Sequence, residues 1–332
     1  MVNKVFFSED ENVFLEKLKS ELKGYFSGKV AIKLHMGEVG NKYFLKPEFV
    51  KKIVKILKDA GSEPFLFDSP VVYKSLRRFA KGYLLVARKH GFTEKKVGCP
   101  VRVSDDSVEE EIVIDGKKVV FQVCKELVEA DGVLVLSHVK GHFCSGFGAG
   151  IKNLGMGALS KKSKGMIHGG GEPIYGSGCT LCKVCSKNCP TDNIRYDEGR
   201  PFFDKSWCCG CSNCAVVCPQ KAIRPKLAVF SDLLAAGAFA GLKNFKKYFF
   251  VNVIKDVSKL CDCVPGGSLV APDIGYLMSN DLVSADKASH DLIVEKTGKD
   301  IFKEIHHVSP LSHIEAFAKI ANASLNYKLI KV

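Results

Sequence analysis

With 332 residues, 46% of them apolar and 26% charged, the chain has the composition of a globular protein with material for a sizeable core, which excludes a small disulfide scaffold and a disordered or fibrous polymer. Its formal charge of +13 rests on lysine, since only seven of the 49 basic residues are arginine. Lys51, Lys52, Lys55 and Lys58 lie along one amphipathic stretch, so solvated helix faces, an acidic ferredoxin- or flavodoxin-like redox partner or an anionic small molecule explain the excess better than nucleic acid does. The longest apolar run, Leu227 to Leu242, carries Ser231 and Asp232 and is broken by glycines, which argues against a membrane span. The start MVNKVFFSEDENVF has no basic-then-apolar opening or cleavage site, and a cytoplasmic protein is expected.

In chain order, Ser8 and Glu11 suggest a capping box before the helix VFLEKLKSEL. Lys29 to Met36 reads as a buried strand, Pro47 as the start of a helix ending at Gly61, and Pro64 to Ser69 as the next strand. Pro70 is expected to open a helix running to about Gly91. Glu111 to Val123 reads as a hairpin about Asp115-Gly116, and Gly132 to Val139 as a strand entering a glycine-rich stretch. Further on, Lys246 to Val257 suggests a strand and Leu282 to Glu295 a helix. Ser309-Pro310 caps another helix to about Ala321, before a closing strand NYKLIKV. The alternation predicts an α/β fold with a mainly parallel sheet and flanking helices.

Fourteen cysteines without a signal peptide point to metal rather than to disulfides. Cys179, Cys182, Cys185 and Cys189, followed by Pro190, form C-x2-C-x2-C-x3-C-P. Cys208, Cys211, Cys214 and Cys218, followed by Pro219, repeat it 29 residues later, and Ile194 and Ile223 keep the same offset. Three thiolates at this spacing wrap one iron–sulfur cube while the fourth reaches the neighbouring one, so the expected ligation is crossed. Cys179, Cys182, Cys185 and Cys218 would hold one [4Fe-4S] cluster, and Cys208, Cys211, Cys214 and Cys189 the second. Zinc sites also use C-x2-C pairs, but need neither the third step nor the C-P. Gly178 to Arg224 resembles the bacterial-type two-cluster ferredoxins. Cys209, beside a ligand, reads as a spare thiol. Neither flank carries enough sheet to stand alone, so residues 1–177 and 226–332 are expected to form one α/β domain interrupted by a small ferredoxin-like α+β insert, 178–225.

The flanks carry a second set of unusual residues. Lys33 and His35 alternate along a strand end, and Lys140, His142, Lys152, Asn153 and His168 follow the strand Gly132 to Val139 among glycines. Ligands of open α/β sheets bind beyond strand C-termini, where glycine-rich turns present amides to phosphate or carboxylate. No Walker loop is present, and GFGAGI lacks the third glycine of the dinucleotide fingerprint. Lys33, Lys152, Asn153 and Asp273 are candidate substrate-binding residues, and His35, Lys140, His142 and His168 candidate catalytic ones, the imidazoles as proton donors near neutral pH. Asp286 is expected to face the same crevice, helix or turn capping being the alternative reading for both carboxylates. Cys261 and Cys263 could bind a mononuclear metal with a histidine, or be two small buried residues near a loop.

The stretches KLHMGE, Ser137 to Gly157, the His168 segment and Cys261 to Leu292, with the cysteine insert between them, resemble the iron–sulfur proteins of the "domain of unknown function 362" family. The resemblance implies an α/β domain with an iron–sulfur, redox role, and supplies no substrate. Three classes of function remain: an oxidoreductase passing electrons from two clusters to an anionic substrate or cofactor in the crevice, a ferredoxin-like carrier or adaptor, and a metal or cluster maturation factor.

Overall fold

The computed structural model describes residues 2–197, 199–265 and 267–332. Its centre is an eight-stranded sheet built from Asn3–Ser8 (β1), Gly28–Lys33 (β2), Ser62–Asp68 (β3), Val101–Val103 (β4), Gly132–His138 (β5), Tyr248–Ile254 (β6), Gly275–Ser279 (β7) and Tyr327–Lys331 (β8). The strand order is β8-β1-β7-β6-β5-β2-β3-β4. β7 runs antiparallel to both neighbours and the remaining pairings are parallel, so the fold is α/β with a mainly parallel sheet. Strands from before and after the cysteine segment are neighbours in this sheet: β6 pairs with β5 and β1 with β7.

The central strands are buried on both faces, which is why they read as continuous apolar runs. Their two-residue period sorts side chains into two cores. Ala31, Phe65, Phe67, Val133, Val135, Phe250 and Leu277 face one. Val30, Ile32, Leu66, Leu134, Leu136, Val251 and Met278 face the other, packed against helices Glu11–Leu22 (α1) and Pro47–Asp59 (α2). The first core is covered by helices Gly150–Gly157 (α3), Lys161–Gly170 (α4), Phe230–Lys243 (α5), Leu282–Thr297 (α6) and Ser312–Ala321 (α7), and by the hairpin Ser107–Ile114/Lys117–Cys124. That hairpin turns at Asp115 and Gly116, both with positive φ, and forms a ribbon apart from the main sheet.

Three local expectations are corrected. The carboxylate of Asp10, not Ser8, caps α1, accepting from the amides of Asn12 and Val13, because Ser8 still belongs to β1. Pro70 opens no helix: an irregular stretch and a short 3-10 turn, Leu76–Arg78, precede the helix Ala80–Lys89. The last helix starts at Ser312 without a side-chain cap. The apolar run after Leu227 forms α5, whose Leu233, Leu234 and alanines are buried in the first core. No helix among the described residues is long and apolar enough to cross a membrane.

Helices α3 and α5 approach so closely that a Cβ on Gly155 would lie 2.4 Å from the carbonyl oxygen of Leu234. Gly155→Ala should therefore destabilise the protein by about 1–3 kcal/mol in urea unfolding. Gly165→Ala, in α4 with nothing within 4 Å of the new carbon, should leave stability unchanged or raise it by up to about 1 kcal/mol.

Candidate functional site

The two cysteine motifs trace the same backbone. Leu181 and Gly210, Lys183 and Ser212, and Asp192 and Lys221 pair up at the motif offset, and all six have positive φ. Left-handed backbone is costly away from glycine, and here it recurs in both copies as each loop curls around its cysteines. Cys179, Cys182, Cys185 and Cys218 line one small void, and Cys189, Cys208, Cys211 and Cys214 line another, with Cys209 beside them. Each fourth cysteine thus faces the void of the other copy. Among the described residues no histidine or carboxylate lines either void, so the donor set suits thiolate-ligated iron–sulfur clusters. Ile194 and Ile223 pack with Cys185 and Cys214 in a small core between the copies.

A separate cavity of about 140 Å³ opens at the C-terminal ends of β2, β3 and β5. Its wall includes Lys33, His35, Lys140, His142, Lys152, Asn153 and His168, brought together from distant parts of the chain. The cavity also exposes residues that sequence reasoning missed: Asp68, Arg77, His138, Lys164 and Asp262.

Five cations, Lys33, Arg77, Lys140, Lys152 and Lys164, face two carboxylates, Asp68 and Asp262. Lys33 Nζ donates to Asn153 Oδ1 at 2.7 Å and lies 2.9 Å from Asp68 Oδ1. Asn153 Nδ2 in turn bonds Ser137 Oγ and the carbonyls of Leu136 and Lys33, latching α3 to the ends of β5 and β2. Tyr83 donates its hydroxyl to Asp68, and Arg77 stacks 4.1 Å over the Tyr83 ring with a guanidinium nitrogen 3.8 Å from Asp68. Lys140 pairs with Asp262 and bonds His138, and Lys164 donates to Ser69 Oγ and to the carbonyls of Ser69 and Pro70. Lys152 differs. Its ammonium makes no hydrogen bond or ion pair with any described residue.

Burial lowers Lys140, Lys152 and Lys164 to about 8, against the partial opposition of Asp262 or Asp68. Burial raises the carboxyl of Asp68, but Lys33, Lys164 and Arg77 outweigh it and hold the group at about 2. Asp262 is likewise kept far below the carboxylate range, burial being overcome by Lys140 and His138. Burial pushes His35, His142 and His168 down, Arg77 adding to the effect at His35 and Lys152 at His142 and His168. These imidazoles are therefore neutral at neutral pH. Burial thus moves the imidazoles away from the range in which they would donate protons and brings the lysine ammoniums towards it.

Asp273 is exposed, accepts from the amide of Asp256 and faces Lys255, away from the cavity. Asp286 is buried under α3, where its two oxygens accept from the amides of Gly150 and Ile151. It acts as the cap, and takes up two amides that the glycine-rich turn was expected to offer a ligand. Cys261 and Cys263, read as thiols, are joined by a disulfide on the cavity wall.

The cavity and the second cysteine void share a wall. His168 Nδ1 bonds the carbonyl of Cys209 at 2.8 Å, and Cys144 Sγ lies 3.7 Å from the same oxygen. Ser212 Oγ donates to the carbonyl of Gly171 and accepts from the amide of Phe230, tying the cysteine loop to the end of α4 and the start of α5.

The family model described as "Domain of unknown function (DUF362)" matches residues 30–291, and the chain belongs to that family. Shorter likenesses carry the iron–sulfur signature of a ferredoxin-type region. Forty-six residues are 46% identical to a component of the ion-translocating oxidoreductase complex of Methanosarcina acetivorans, covering 14% of this chain and 17% of the relative. Sixty-four are 38% identical to the IorA component of the indolepyruvate oxidoreductase of Methanothermobacter thermautotrophicus, 19% of this chain and 10% of the relative. Fifty-five are 40% identical to an uncharacterized ferredoxin of Methanocaldococcus jannaschii, 16% of this chain and 34% of the relative. The chain thus spans at most about a third of these relatives.

Because Asp68 has a carboxyl depressed on folding, it contributes stability above its unfolded value of about 3.9, and that contribution is lost as pH falls through its folded value near 2. Asp68→Asn, which leaves Lys33 and Arg77 without this counter-charge, should cost about 3 kcal/mol at pH 7 in urea unfolding. The gap to wild type should narrow between roughly pH 4 and pH 2.

Proposed function

We propose that this protein is an iron–sulfur oxidoreductase in which two [4Fe-4S] clusters exchange electrons with an anionic substrate or cofactor in the cavity. One cluster is held by Cys179, Cys182, Cys185 and Cys218, the other by Cys208, Cys211, Cys214 and Cys189. In this reading residues 178–225 are an insert within an α/β domain formed by 1–177 and 226–332. The carrying observation is the ammonium of Lys152, unpaired among the described residues, in a cavity whose His168 touches the loop of the second cysteine set. A cation that lines a cavity without a partner is available to a ligand that supplies the counter-charge.

When bound, the clusters supply electrons one at a time. The chain's own residues hold the anion and manage protons. Lys152, with Lys140 and Lys164 behind it, neutralises negative charge, and an ammonium near pKa 8 can release a proton at Nζ as charge builds on the ligand. Neutral His35, His142 and His168 offer hydrogen bonds. Asn153 is spent on Lys33 and the strand ends, which makes it a positioning residue.

The carrier reading has its own support. Leu181, Phe202, Trp207 and Val216 are exposed around the cysteine segment, Trp207 by 72%, and suit docking of a partner protein. The names of the relatives, components of oxidoreductase complexes and a ferredoxin, favour electron exchange with such a partner.

Anaerobically reconstituted protein should carry about eight iron and eight sulfide per chain; a colourless zinc protein would overturn the clusters. In a screen of phosphorylated and carboxylated metabolites by calorimetry, Lys152→Met should abolish binding with iron content unchanged, and Cys211→Ala should keep binding and lose ligand-dependent reoxidation. Affinity should fall as pH rises through about 8, where these lysines lose their protons. Binding indifferent to Lys152 and to this pH range places the site elsewhere. If reduced protein passes electrons only to protein acceptors, at one rate in every variant, it is a carrier.

A further inference from the structure

Cys261 and Cys263 lie on the cavity wall, where one ring nitrogen of His142 and the two sulfurs fall within 4.8 Å of one another. We propose that the reduced pair and His142 bind one divalent transition-metal ion of the zinc type, with its remaining coordination position open to the cavity. This deepens the reading of the cavity as the functional site and rests on it for where a substrate would meet the ion.

A disulfide across one intervening residue closes so small a loop that it restrains the unfolded chain very little, so the pair is poorly explained as a stability device. A phosphine, oxidised to its oxide with oxygen taken from water, supplies the two electrons, and water the two protons, that convert it to two thiols. A divalent ion then displaces both thiol protons, and two thiolates with a neutral imidazole complete a charge-balanced Cys2His set, the composition of a catalytic rather than a closed structural zinc site. The surroundings favour it. Lys140 and Lys152 line the same wall as the two sulfurs and place positive charge beside the thiolates.

The set is also held in place. Asp262, between the two cysteines, is pinned by Lys140 and His138, and its carbonyl accepts from the amide of Glu38 at 2.9 Å. Ser145 Oγ spends its proton on the carbonyl of Phe147 at 2.7 Å and faces His142 Nδ1 at 3.0 Å. The amides of Cys144 and Ser145 donate to the same nitrogen at 3.3 Å, so three contacts fix the orientation of the ring beside the two sulfurs.

Cluster-loaded full-length protein, reduced with a phosphine and titrated with zinc, should retain about one zinc per chain after desalting, with its iron count unchanged. Zinc-edge X-ray absorption should show two sulfurs near 2.3 Å and one imidazole nitrogen near 2.0 Å. Cys261→Ser and Cys263→Ser should lose the zinc, and His142→Ala and Ser145→Ala should weaken it at least tenfold. Cys99→Ser, buried elsewhere, should leave it intact. No zinc in the reduced wild type, or the same uptake in Cys261→Ser, overturns the site. If zinc is absent while Lys152-dependent anion binding persists, the metal site alone fails. If zinc is retained and no such anion is found, the cavity reading alone fails.

Discussion

Five cations crowded around one enclosed space at the edge of a parallel sheet can coexist only if something offsets their repulsion and their loss of hydration. Asp68 is the hub of that compensation. Sitting at the end of β3, it meets Lys33 from β2 directly, Arg77 from the turn beyond β3 at longer range and, through the Tyr83 hydroxyl, the helix Ala80–Lys89. Asp262 does the same on the far side for Lys140 and His138. Glu38 pairs with Arg77 at 3.5 Å, and with three carboxylates for five cations the site keeps a surplus of positive charge, unpaired at Lys152 among the described residues.

How much of this could be read in the sequence depended on how local each signal was. The cysteine motifs are closed within a few residues of spacing, and the central strands are short apolar runs, so both were legible. Lys33, His35, Lys140 and His142 stood out because polar residues at the end of a buried strand break its pattern. Asp68 ends a strand too, but an acidic residue before Ser-Pro looks like ordinary turn chemistry. Arg77, Lys164 and Asp262 come from segments whose burial only tertiary packing decides. The same holds for capping. Ser8 satisfied a local rule for α1, yet its pairing with Tyr276 of β7 keeps it in β1, and Asp10 was free to do the work. Asp286 was drawn towards the crevice by its neighbours in sequence, whereas its partners are the helix amides of Gly150 and Ile151.

The protonation pattern shows how burial changes what residue type alone would suggest. Histidine is the usual proton donor near neutrality because its unperturbed pKa lies there. In this cavity burial among cations moves the imidazoles down out of that range and brings the lysines into it, so the groups exchange chemical parts. An ammonium in this state combines a positive charge with a proton it gives up near pH 8, which a solvated lysine does not.

The reversed strand β7 carries a consequence for how the molecule is made. β1 pairs with β7 on one side and β8 on the other, so the earliest-made strand of the sheet finds its neighbours only when the two latest have been made. The cysteine loops, whose partners lie within one another, are finished well before that. Translation at roughly 5–20 residues per second thus leaves an interval of several seconds in which the cysteine segment is complete and β6, β7 and β8 are still missing. During that interval Cys144, His168 and Cys209, which meet in the wall between the cavity and the cysteine loops, have all been made, while the strands that close the sheet have not.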